Sequence, residues 1–164
     1  MDAEALRRTR VAVLGLDTTS GDRPLITGVA VLYVDDGVIS AGPFAYRATD
    51  APSSPPKVAE RVRLALRGRV LVTHDAERLD LLRRHLPAWE PPAGVAHTRD
   101  LVEQAWPGKP DYGLSAASAL AGINGVARVG PSAAVEAHTV AFLLTVLIRR
   151  AARTTTKARN GHST

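Results

Sequence analysis

Apolar positions divide this chain into short runs with two different periods. Val11, Ala12, Val13, Leu14 and Leu16 form a nearly continuous apolar run, the pattern of a strand covered on both faces. Leu25 to Tyr33 and Val38 to Tyr46 are β-rich runs bracketing Asp35-Asp36-Gly37, a hairpin signal, so the first three strands form an antiparallel meander. After the Pro- and Ser-rich stretch Thr49 to Pro56, Val58, Val62, Leu64 and Leu66 stand among charges and predict a short amphipathic helix over Lys57 to Arg67. Val70 to Thr73 reads as a strand, and Asp75 to Leu86 as a helix with Asp75 as its N-cap.

Pro87 to Gly94 is a connection. Val95 to Thr98 follows as a short strand, Asp100 to Trp106 as a helix, and Leu114 to Leu120 as a small-residue helix stopped by Gly122. The last helix starts at Pro131-Ser132, runs to about Arg150, and is apolar on most sides while holding Glu136 and His138. A meander followed by alternating strands and helices predicts an α/β domain with a mixed sheet and flanking helices. We delimit a basic N-terminal arm at 1–9, the domain at 10–152 and a disordered basic tail at 153–164.

Charge sharpens this division. The net charge of +5 points to nucleic acid, but 8 of the 21 basic residues lie at the two ends, namely Arg7, Arg8, Arg10, Arg149, Arg150, Arg153, Lys157 and Arg159. Between Val11 and Ile148 the balance is −1, so any attraction for phosphate resides in the ends rather than in the body. A solvated tail is the plainer alternative. The absence of cysteine excludes disulfides and thiolate metal sites. No apolar run is long enough for a membrane span and no signal peptide precedes the first strand, which predicts a cytoplasmic protein with no membrane partner.

Three stretches resemble the DEDD-type (DnaQ-like) 3′–5′ exonucleases, the family of the polymerase III proofreading subunit. Leu14 to Ser20, ending Asp17-Thr18-Thr19-Ser20, is similar to that family's Asp-x-Glu-Thr-Thr-Gly. Val70 to Ala76 is similar to Leu-Val-Ala-His-Asn-Ala, and Tyr112 to Ile123 to Tyr-x-Leu-x-x-Leu-x-x-x-Leu-Gly-Ile. The resemblance implies a ribonuclease-H-like exonuclease fold. It also implies phosphodiester hydrolysis by two divalent ions, Mg²⁺ or Mn²⁺, held by several carboxylates.

The motifs are degenerate. Aligned on Thr18-Thr19, the family's first aspartate falls on Gly15 and its glutamate on Asp17; its second aspartate falls on Leu79, with Asp80 next door. A carboxylate moved by one helical position turns by about 100° and need not face the site. The last aspartate corresponds to Glu136, and the histidine base to Pro131, which can neither take a proton nor bind a metal. His138 stands two residues beyond Glu136 and so faces elsewhere. The family's segment that contacts the terminal nucleotide is reduced here to Thr49 to Pro56.

The resemblance thus nominates Asp17, Asp80 and Glu136 as catalytic carboxylates, Asp17 and Glu136 as metal ligands, and Thr18, Thr19 and His74 as nucleic-acid contacts. Read without it, Asp17 is a strand-end cap, Asp80 a solvated helix residue, and His74 with Asp75 a helix-start pair. Glu136, on an apolar helix, must find either a metal or a buried donor such as Thr18 or Thr19. His97 carries no functional signal. Two classes remain open: a nuclease or nucleic-acid-binding relic of one, with Mg²⁺ or Mn²⁺ if a site is retained, and a non-catalytic interaction module for a protein partner, with no cofactor.

Overall fold

The computed structural model describes residues 1–47, 55–85, 94–123 and 133–160. The sequence readings at Thr49 to Ser54, Pro87 to Ala93, Pro131 and Ser132 lie outside them. A short helix α1 (Ala3–Arg7) leads into the strands β1 (Val11–Thr18), β2 (Ile26–Asp35) and β3 (Val38–Arg47). Then follow α2 (Pro55–Leu66), β4 (Val70–Thr73), α3 (Ala76–His85), β5 (Val95–His97), α4 (Thr98–Ala105), α5 (Leu114–Leu120) and α6 (Ala133–Asn160). The sheet order is β3-β2-β1-β4-β5, with β1 at its centre.

β1 runs antiparallel to β2 from Val11↔Val34 to Thr18↔Ile26, and parallel to β4 only from Val11↔Val70 to Val13↔Val72. Its apolar run is continuous because both faces are covered. Val11 and Val13 join Ala30, Leu32, Val34 and Val72 beneath α6, whose Ala137, Val140, Ala141, Leu144 and Ile148 are buried. On the other face Ala12, Leu14 and Leu16 pack with Val62, Leu66, Leu79 and Leu82 of α2 and α3. The β2–β3 hairpin closes through Asp36 and Gly37 at φ 52° and 73°, the primed two-residue turn that matches strand twist. A buried guanidinium ties this hairpin to the base of β4. Arg69 donates to both oxygens of Asp35 at 2.6 and 3.1 Å and to the Val11 carbonyl at 3.1 Å, and stacks 3.6 Å from the Tyr33 ring centre.

Both ends depart from the sequence reading. Residues 1–9 are no free arm: Asp2 caps α1, and Leu6, 1 % exposed, sits in the core beneath α6. The last helix does not end near Arg150 before a disordered tail but continues to Asn160. Its apolar face stops at Ile148, yet a helix already nucleated gains a backbone bond for every residue added, with or without packing. No helix among the described residues is long and apolar enough to cross a membrane.

Candidate active site

The C-terminal half of β1 is where the sheet opens. Pairing with β4 ends at Val13, so the amide of Leu16, which points away from β2, has no strand partner. Glu136, in the first turns of α6, fills that place: its Oε2 accepts from the Leu16 N–H at 3.1 Å. Its Oε1 accepts from Arg78 Nε at 3.0 Å, and Arg78 is in turn placed by Asp75, whose Oδ1 accepts from the Arg78 amide at 3.3 Å as the cap of α3. The donors Glu136 requires are therefore a backbone amide and a guanidinium, not Thr18 or Thr19. Burial pushes its carboxyl above the usual carboxylate range, against the opposing pull of Arg78 and the Leu16 N–H, while repulsion from Asp75 and Asp17 adds to the rise.

Asp17 follows on the α6 face of β1, level with Gly28 of β2 and Arg47 of β3, which pair in register. A side chain at Gly28 would strike Asp17 Oδ2, so the bare glycine leaves the space in which this carboxylate lies. Oδ2 is 4.0 Å from Arg47 Nε, and Oδ1 is buried with no partner among the described residues.

Gly15, also on this face, has no vacancy above it. A Cβ there would collide with the Ala133 carbonyl and lie 2.6 Å from the Ala137 amide nitrogen, so the α6 backbone itself occupies the place where the resemblance would put a first carboxylate. Two alanines on the helix and a glycine on the strand permit this approach. Leu79, where the resemblance would put a second aspartate, is 6 % exposed in the core. Asp80 beside it is turned to solvent, 63 % exposed, and pairs with Arg83 at 3.4 Å.

Asp17 and Glu136 thus come to one place and Asp80 does not join them. Among the described residues no three acidic or histidine side chains form a group able to hold a metal ion. The donor set does not fit the divalent pair implied by the resemblance: one position is packed shut, one is core, and the two remaining carboxylates face arginines.

The nucleic-acid contacts fare unevenly. Thr19 closes the β1–β2 turn, its hydroxyl accepting from the Leu25 amide at 2.9 Å, while Thr18 ends β1 at a register shift and stays partly exposed. His74, nominated as a nucleic-acid contact or as a helix-start pair with Asp75, is an internal clamp. It is 4 % exposed, with Nε2 3.0 Å from the Tyr112 carbonyl and Nδ1 3.0 Å from Thr98 Oγ1. A carbonyl only accepts, so Nε2 carries the proton and Nδ1 accepts from Thr98.

Burial lowers the His74 pKa from its ordinary value near 6.5, more than neighbouring Asp75 restores it. Stability from neutral His74 is whole above that value and is lost as the pH falls through it toward the depressed one. Urea midpoints should drop as the pH falls below about 6.5. His74→Gln should flatten that dependence, and an undiminished acid slope in this variant would place its origin elsewhere.

No family model matches the sequence, and no curated protein does. Among solved structures, exonuclease X in complex with 5′ overhanging duplex DNA is similar at 20 % identity and a TM-score of 0.55, over 88 % of this chain and 93 % of that one. The exonuclease domain of Nibbler from Aedes aegypti is similar at 9 % identity and a TM-score of 0.52, over 93 % of this chain and 84 % of that one. The likeness is one of fold: the chain has an exonuclease-like, ribonuclease-H-like mixed α/β architecture.

Proposed function

We propose that this chain is an exonuclease-fold protein that engages nucleic acid without hydrolysing it by the two-metal route. The observation that carries the reading is the α6 backbone seated on Gly15, which leaves no room for a bridging carboxylate where such chemistry needs one. Arg78 supports it, because a guanidinium on Glu136 Oε1 takes the oxygen a metal would need and supplies fixed charge in its stead. Engagement of nucleic acid is supported by the basic ends of the chain and by the fold shared with an exonuclease bound to DNA.

The test is incubation of end-labelled single-stranded DNA and RNA with Mg²⁺ and then Mn²⁺, alongside Asp17→Ala and Glu136→Ala. We expect no digestion above that of the variants, and no rise in melting temperature with Mn²⁺, since an ion that binds the folded state would stabilise it by mass action. Robust digestion abolished by both substitutions would overturn the reading and reveal a rearranged carboxylate cluster. Failure to retain any oligonucleotide at low salt would replace it with that of a protein-binding scaffold.

A further inference from the structure

The far half of α6 carries a second feature that the exonuclease resemblance does not use. Trp106, Ala121, Val146, Arg149, Arg150 and Arg153 line a cleft of about 880 Å³, and no carboxylate is among its lining residues. Arg150 lies over the Trp106 ring, 4.7 Å from its centre. Neither Arg149 nor Arg153 forms an ion pair among the described residues.

Cations near a helix C-terminus are ordinarily explained by the macrodipole, but that effect fades within the last turn. Arg149 and Arg153 stand seven or more residues before Asn160, about two turns in, so the dipole does not account for them. The cleft is also remote from the Asp17–Glu136 site, since fourteen residues of helix separate Glu136 from Arg150, about 21 Å along the axis.

We infer that this cleft binds a single-stranded nucleic acid. The inference rests on the reading that the chain engages nucleic acid, and it names where. Arg149 and Arg153, one helical turn apart, offer charge to successive backbone phosphates. Stacking on the indole occupies a face of the Arg150 guanidinium and leaves its N–H edge for oxygen acceptors. The planar cation, the indole and the apolar floor of Ala121 and Val146 suit an unstacked base, which an acidic peptide lacks and a duplex keeps inside its stack.

The experiment is titration of a fluorescein-labelled oligothymidylate of about 16 nucleotides, followed by anisotropy from about 50 to 200 mM salt. Arg149→Ala/Arg153→Ala, two exposed changes checked for folding by circular dichroism, should weaken binding about tenfold or more and reduce the salt slope by about two. Quenching of tryptophan emission by the bound strand should be lost in Trp106→Phe. Unchanged affinity and slope in the double variant would overturn the inference while leaving nucleic-acid engagement intact, with the strand bound elsewhere. Competition by polyglutamate as strong as that by unlabelled oligonucleotide would also overturn it. Absence of binding by the unsubstituted protein would sink both this inference and the reading beneath it.

Discussion

Gly15→Asp, the substitution that puts an aspartate where the resemblance would have one in β1, is expected to destabilise the protein by at least about 3 kcal/mol and to confer no hydrolysis. The obstruction is the Ala133 carbonyl and the Ala137 amide, helix backbone that cannot rotate aside as a side chain would. Overpacking of this kind alone costs about 1–3 kcal/mol. The new carboxylate would also be buried near Asp17 and Glu136, each disfavouring its charge. Gly15→Ala carries only the steric part and should fall short of the full loss. Urea midpoints of the two variants, with digestion assays beside them, provide the measurement. A Gly15→Asp protein as stable as its parent, cutting with Mn²⁺, would show that α6 yields and that the site is merely one carboxylate short.

Arg78→Ala should be the most pH-dependent substitution in the molecule. It strands Glu136 with the Leu16 amide as its remaining donor, and a buried carboxylate without its cation is strongly disfavoured. Arg78 is about one-third exposed, so solvent screens part of the pair and the expected loss is about 1–2 kcal/mol at about pH 8. Since burial already holds the folded carboxyl above 4.5, folding favours its protonated form. That contribution is whole below 4.5 and is lost as the pH rises through the folded value, a loss that removing Arg78 deepens. The deficit of Arg78→Ala against the parent should shrink as the pH is lowered toward 4.5, and Glu136→Gln added to it should recover much of the loss at about pH 8. A deficit independent of pH would assign Arg78 a packing role.

The central strand could be read from residues alone because a run covered on both faces is apolar at every position, a pattern few other elements share. The hairpin was equally legible in Asp36-Gly37. Gly15, Leu79 and Pro131 stand where the resemblance would put functional side chains, but only packing reveals that Gly15 is filled from above rather than vacant. Arg78 was overlooked since a helical arginine following an N-cap aspartate looks solvated; the need of buried Glu136 for a cation was the available clue. The inward setting of His74 was not legible, because its partners Thr98 and Tyr112 are both distant in sequence. The helical extension to Asn160 is not legible in the sequence because it carries no apolar face to mark it.

The contact at Gly15 also fixes the axial register of α6. Along most of the sheet this helix rests on interdigitating side chains, which tolerate small shifts; at Ala133 and Ala137 it rests on strand backbone. A slip of one residue would translate the helix by about 1.5 Å and turn it by about 100°, replacing Ala133 or Ala137 at the contact with a bulkier neighbour such as Glu136 or His138. The glycine therefore acts as a detent.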